Sequence, residues 1–194
     1  MANQTTLLVS HKGVDLHAAT AVRVMQKRLD SGDALQALHR AEVHVFWGEG
    51  NGRSVSDLLG IGRYYNPNKH HYGHFEVAEA GDRWTDQELL GGRPLEAAWP
   101  GQTLGSDLGD DSALLADTLL GGPLPADHVA VDMLAFPLGE DDPLRSGVLW
   151  RLVLAADGRD PVRLAERLAV ARSSDQGLLI NPHLHGWLTR VWRP

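Results

Sequence analysis

The chain has 194 residues, of which 43% are hydrophobic, and its formal net charge is -7. This length and composition are typical of one globular domain, here residues 1–194, rather than of a disordered chain. The acidic balance argues against a surface that grips duplex DNA. The absence of cysteine excludes disulfides, thiolate zinc sites and cysteine nucleophiles. No apolar run approaches the ~20 residues of a membrane span, and the N-terminus lacks a signal-peptide pattern, so we expect a cytoplasmic protein with no membrane partner.

The predicted elements of the first half alternate between strands and helices. Thr5–Ser10 has the composition of a short buried strand, and Asp15–Leu29 has apolar residues at helical spacing. Ala34–Leu38 continues the helical pattern, Glu42–Trp47 alternates as a second strand, and Val55–Ile61 is predicted as a third strand. This order calls for crossover connections, so we predict a three-layer α/β domain with a mostly parallel sheet.

The second half is less regular and begins with a glycine-rich stretch, Ala80–Gly109, that is predicted to cover the sheet. The remaining predicted elements are, in chain order, a helix at Ser112–Leu120, a helix or strand at His128–Leu138, a strand at Val148–Leu154, a helix at Pro161–Arg172, and two paired strands, Leu178–Ile180 and Trp187–Trp192. No tandem repeat is evident, because the echo of NPNKHH in NPHLHG is too short to count as one.

Two groups of polar residues suggest a metal site. His11-x-x-x-Asp15-x-His17 follows the first predicted strand and opens a helix, and a divalent metal accepts both carboxylate and neutral imidazole ligands. The alternative is that Asp15 is simply the N-cap of the helix. The second group, His70, His71 and His74, is predicted to lie on the loop after the third strand. Either His74 and one of the other two histidines share a metal, or the segment is a solvated polar loop.

Neighbouring strand residues point to opposite sides, so His70 and His71 are not expected to share one metal. A further pair, His183 and His185, follows the turn Asn181-Pro182 and either ligates a metal on one face or lies exposed in a turn.

The order of these two groups resembles the DHH phosphoesterase superfamily, and within it the melanocyte-proliferating-gene family of metal-dependent exonucleases. The likeness covers about residues 5–140 and includes Gly60–Glu76, which follows the course of that family's segment ending in Asp-His-His. The sequence departs from the family pattern at three metal-ligand positions in these segments. Gly60 replaces a bridging aspartate, and Gly73-His74-Phe75 replaces the Asp-His-His triplet.

The resemblance implies a divergent DHH-like metal-dependent phosphoesterase or nuclease, acting on a nucleotide or a short single-stranded oligonucleotide. It implies a divalent cofactor, manganese or zinc, with a ligand set that comprises His11, Asp15, His17, His74 and either Asp132 or the acidic run Glu140–Asp142. His74 is also the expected catalytic residue, and His70 and His71 are expected to contact the substrate phosphate. The alternatives are a catalytically inactive descendant that binds a nucleotide or a protein, and a small α/β assembly protein. The sequence does not predict the oligomeric state.

Overall fold

A computed structural model describes residues 2–49, 55–80, 93–94, 102–106, 120–139 and 144–194. The helices in these ranges are α1 (Leu16–Arg28), α2 (Val55–Gly60) and α3 (Pro161–Ala169), with a 3-10 turn at Gly32–Ala34. The strands are β1 (Ala2–His11), β2 (Leu35–Glu49), β3 (His70–Ala80), β4 (Arg93–Pro94), β5 (Gln102–Ser106), β6 (His128–Pro137), β7 (Leu144–Ala155) and β8 (His185–Trp192). No helix in the described parts of the chain is long and apolar enough to cross a membrane.

The predicted fold class is wrong, because the protein is mostly β rather than a three-layer α/β domain. Six long strands form one antiparallel sheet in the order β8-β6-β7-β2-β1-β3. The five-residue strand β5 extends the sheet beside β3, and the two-residue strand β4 pairs in parallel with β8. The only parallel strand pairing among the described strands is therefore this short edge contact.

The geometry of α1 explains why a strand-helix-strand pattern does not give parallel strands here. A crossover helix returns the chain to the start of the first strand, whereas α1 continues beyond the end of β1. Its 13 residues span ~20 Å, and Leu35–His39 of β2 projects ~17 Å past the end of β1. The chain then re-enters the sheet at the far end, so β2 runs antiparallel to β1.

Several predicted elements take another form. Val55–Ile61, predicted as a strand, is mainly the helix α2, and Ala34–Leu38, predicted as helical, begins the strand β2. The histidine segment is the strand β3 rather than a loop, and Leu178–Ile180 forms no strand with β8, which pairs with β6. The helix predicted at Ser112–Leu120 lies outside the described residues apart from Leu120, as does most of the predicted covering segment.

The remaining strand and helix predictions are confirmed within a few residues. Thr5–Ser10 lies in β1, Glu42–Trp47 in β2, and Val148–Leu154 in β7. The predicted helices at Asp15–Leu29 and Pro161–Arg172 are α1 and α3. His128–Leu138, which was compatible with a helix or a strand, is the strand β6.

The sheet consists of two similarly connected three-stranded units. In each unit the first strand is central, namely β1 or β6, and both later strands pair with it in antiparallel fashion. The registers match, since Val9 lies opposite Glu42 in the first unit as Ala135 lies opposite Val148 in the second. Glu42 and Val148 also lie opposite each other. A pseudo-two-fold axis, normal to the sheet, therefore passes between these two residues.

Two identical turns reinforce this relationship. Asn66 accepts a hydrogen bond from the backbone N–H of His70 at 2.9 Å before β3, and Asn181 accepts one from His185 at 2.9 Å before β8. The Oδ1 atom of each asparagine accepts a further backbone hydrogen bond at 3.0 Å, two residues along. The similarity between NPNKHH and NPHLHG, which is too short to indicate a repeat by itself, thus marks equivalent positions of an internal structural repeat. Helices α2 and α3 also correspond, whereas α1 belongs to the first unit alone.

Both faces of the sheet are buried. The helix face carries Met133 and Leu152 against α1 and α3, and Leu7 against α2, all 0% exposed. The opposite face carries a second apolar cluster that includes Val43 and Leu134, also 0% exposed, together with Leu120. A sheet that is apolar on both faces loses the alternation of a half-exposed sheet, so its strands have the buried pattern usually associated with α/β proteins.

The opposite face also holds a buried ion pair. Arg151 of β7 lies in register with Asp132 of β6, and its Nε and Nη2 atoms donate to the two carboxylate oxygens at 2.7 and 3.0 Å. The side chains are 2% and 4% exposed. Trp192 of β8 donates its indole N–H to the same carboxylate. This bidentate geometry joins all three strands of the second unit.

We expect Asp132→Asn to lower the free energy of unfolding by about 3–5 kcal/mol, because it removes the carboxylate charge that pairs with the buried Arg151 guanidinium. Urea denaturation measures this loss. Asp157→Asn is the matched control, since it breaks the exposed Asp157–Arg159 pair and should change stability little. Equal effects of the two substitutions would contradict the assigned role of the buried pair.

Candidate functional site

A cavity of about 340 Å³ lies on the helix face at the pseudo-two-fold axis, and we call it the axial cavity. Its floor combines alternate residues of β2 and β7 on one face of the sheet. Its lining comprises Arg40, Glu42, His44, Ala135, Pro137, Ser146, Gly147, Val148, Trp150, Leu179 and His185. Charged, polar and aromatic side chains therefore meet where the two units join.

Charge in the axial cavity is arranged along β2. The Nη2 atom of Arg40 donates to Glu42 Oε1 at 3.0 Å, and its Nη1 atom lies 3.5 Å from Asp15 Oδ2. The guanidinium also lies 5.9 Å from the ring centroid of Trp150. Arg40 is thus held between two carboxylates, and the Glu42 side chain remains 43% exposed.

His44 and Ser146 form a polar contact across β2 and β7. The Nδ1 atom of His44 lies 2.9 Å from Ser146 Oγ, while its Nε2 atom is buried and has no hydrogen-bond partner among the described residues. Burial lowers the pKa of His44, and nearby Glu42 only partly opposes this effect, so the ring is neutral near pH 7. A buried nitrogen without a hydrogen-bond partner costs free energy and is uncommon in folded proteins, so this feature of His44 is unusual.

The two sides of the axis differ at one equivalent position. Tyr64 and Leu179 each lie two residues before the asparagine of the repeated turn. The Tyr64 ring packs at 4.8 Å from the His44 ring, whereas Leu179 lines the axial cavity beside Trp150. His44 and Trp150 are themselves equivalent, because each lies two residues after the axial pair Glu42 and Val148. The smaller leucine side chain leaves space on its side of the axis.

The residues predicted from the first motif lie around the end of β1. His11 is the last residue of β1. Asp15 is the N-cap of α1, where it accepts hydrogen bonds from the backbone N–H groups of His17 and Ala18 at 2.8 and 3.2 Å. Burial raises the pKa of Asp15, but the Ala18 hydrogen bond, Arg40 and the His17 hydrogen bond outweigh it and hold the pKa below its usual value. The N-cap alternative is therefore confirmed, and His17 lies exposed in the first turn of α1.

The predicted histidines separate along β3. His70 lies opposite His11 with the ring centroids 5.0 Å apart, and its Nδ1 atom accepts the Asn66 backbone N–H at 3.2 Å. His71 lies opposite Ser10, on the other face of the sheet from His70. His74 lies opposite Leu7, four residues and ~13 Å further along the strand.

The predicted ligand set is not assembled in the described residues. His74 lies far from the His11 and His70 pair, and Asp132 lies on the opposite face of the sheet, bound to Arg151. The Nδ1 atom of His70 already accepts a hydrogen bond, so its neutral form carries the proton on Nε2, where a metal would bind. In the parts of the chain that the structure describes, no three His, Asp or Glu side chains are grouped to hold a metal ion. The metal site stays a prediction.

The residues that line the axial cavity were not predicted from the sequence. Glu42-x-His44 lies within a correctly predicted strand, where its alternation was assigned to ordinary pleating. The only signal that could have identified the axis is the repeated Asn-Pro turn, because it aligns His70 with His185 and so relates the two units.

Comparison with known proteins adds no identification. No protein-family model matches the chain, and searches of characterised proteins and of solved structures found no significant match.

We expect the free energy of unfolding to decrease as the pH is lowered from about 7.5 to about 5.5. Burial lowers the pKa values of His39, His44 and His70 from the ordinary 6.5. Below about pH 6.5 the unfolded chain therefore binds protons that the folded protein does not, and stability decreases as pH falls. Asp15 acts in a lower pH range. Because its pKa is depressed in the folded protein, the carboxylate contributes stability that is lost only as the pH falls below about 4.

Urea midpoints across this pH range test the prediction. His44→Gln should reduce the decrease, and substitution of the exposed His183 serves as the matched control. A midpoint that rises on acidification over this range would contradict the assignment.

Proposed function

We propose that this protein binds a small organic cation, such as a primary amine, in the axial cavity and acts as a binding module without catalysis. The observation that carries the proposal is the charge of the cavity. Arg40 faces two carboxylates, Glu42 at 3.0 Å and Asp15 at 3.5 Å, so these three groups carry one net negative charge, and Glu42 is the carboxylate that lines the cavity and is half-exposed. A protonated amine is the complement of such a group, because charge-assisted hydrogen bonds are the stronger ones.

The other lining groups suit the uncharged part of such a ligand. Ser146 supplies a hydroxyl, neutral His44 supplies one donor or acceptor, and Ala135, Pro137 and Val148 supply apolar surface. Few polar groups within a mainly apolar concavity are typical of small-molecule sites. The location also fits, since the cavity lies at the junction of two structural units.

Binding of a nucleotide or oligonucleotide, expected from the motif resemblance, receives less support at this cavity. A phosphate would approach the Glu42 carboxylate and compete with Asp15 and Glu42 for Arg40. Metal-dependent phosphoester hydrolysis stays a prediction, and the separation of His11 from His74 and Asp132 favours a binding role over it.

Calorimetric titration with butylamine tests the proposal. We expect butylamine to bind saturably at one site. Butanol, which lacks the positive charge, should bind more weakly. Glu42→Gln should weaken butylamine binding roughly tenfold or more, because hydrogen bonds to charged groups contribute about 1.5–3 kcal/mol.

The matched control is Asp157→Asn, which removes one carboxylate from an exposed pair elsewhere. Butylamine binding that is absent, or that is unchanged in Glu42→Gln, would overturn the proposed function. Equal affinity for butanol and butylamine would do the same.

A further inference from the structure

A second cavity adjoins the axial cavity on the helix face. It has a volume of about 680 Å³ and lies between α1 and Leu178–Leu179, and we call it the α1 groove. Trp150 and Leu179 line both cavities. The two spaces therefore share these two side chains as a common border.

The α1 groove is apolar and open. Leu16 and Val24 line it from α1, and Leu178 from the facing segment. These side chains are 74%, 37% and 44% exposed, respectively. Apolar side chains gathered along one groove expose more contiguous surface than scattered ones, and such surface is where ligands bind.

The charge around α1 orients any ligand that spans both cavities. Among the residues that line the α1 groove only His17 is ionisable, and none is a carboxylate. The groove therefore offers no counter-charge to a cationic group, whereas the Glu42 carboxylate lies in the axial cavity. An apolar chain fits the α1 groove, and an ammonium group fits the axial cavity.

We infer that the ligand is an amphiphilic amine, with its ammonium group at Glu42 and an aliphatic tail that passes Trp150 and Leu179 into the α1 groove. This inference rests on the proposed function, since it adds a tail to the amine already assigned to the axial cavity. The tail site uses α1, which the second unit lacks, so it belongs to one side of the axis only.

Titration of the full chain with butylamine, hexylamine and octylamine, each below its aggregation threshold, tests the inference. We expect the affinity to rise roughly three- to fourfold for each added methylene that enters the groove. Octanol and octanoate should bind more weakly than octylamine, because neither carries a positive charge.

Two variants separate the head from the tail. Glu42→Gln should reduce the preference for octylamine over octanol and keep the dependence on chain length. The double variant Leu16→Ser, Leu178→Ser should keep butylamine affinity and lose most of the gain from butylamine to octylamine. Both leucines are exposed, so the fold should persist, and a thermal melt checks this. Ile61→Ser is the control, since Ile61 is 45% exposed and lines neither cavity.

The outcomes distinguish the two proposals. If butylamine binds but longer amines bind no more tightly, the tail site is overturned and the proposed function remains. If the double variant retains the full gain with chain length, the tail lies elsewhere and the inference is overturned. If no amine binds, both proposals are overturned.

Discussion

The antiparallel pairing of β2 with β7 is the contact on which the rest of the structure depends. Among the described strands it is the only pairing between the two three-stranded units, and it runs from Leu35 opposite Leu154 to Phe46 opposite Leu144. Without it β2 and β7 would each be a long exposed edge strand. Proteins avoid such edges because their unpaired backbone groups pair with other chains. The same pairing places the helix-face residues of β2 beside those of β7, and these residues form the floor of the axial cavity.

Burial on both faces sets the chemical character of each face. On the opposite face the Asp132 carboxylate accepts hydrogen bonds from both Arg151 and Trp192, and a second buried arginine, Arg145, lies on the same face. The helix face has open space at the axis, so a partly exposed carboxylate and a partly satisfied imidazole persist there. The Asp132 carboxylate is thus fully paired, whereas the polar groups at the axis are paired only in part.

Local sequence patterns predicted much of the secondary structure but not the architecture. The periodicity of α1 and α3 and the alternation of β2 are local properties, and the structure confirms them. Strand direction depends on where a connection returns the chain, and nothing in Asp15–Leu29 shows that α1 extends beyond β1 instead of folding back. Leu58 and Leu59 were assigned to a strand because a short apolar run fits a strand or a helix equally well.

The candidate site was unpredictable for a related reason. The histidine motifs lie near one another in sequence, yet strand geometry spreads His70 and His74 along β3 and turns His71 to the other face. The axial residues come from strands about a hundred positions apart, and only the register of Glu42 with Val148 brings them together. Asp15 was correctly foreseen as a candidate N-cap, because capping is decided within one helical turn.

The difference between Tyr64 and Leu179 has a consequence for valency. A duplicated unit with two-fold symmetry begins with two equal sites, one on each side of the axis. Here, among the described residues, the ring of Tyr64 packs against His44 on one side of the axis, whereas the axial cavity lies on the side of Leu179. The ligand site that we propose is therefore single, although the fold has two equivalent positions for it. At such a pair of equivalent positions, one side chain can contribute to the packing of the core, as Tyr64 does, while the other lines a cavity, as Leu179 does.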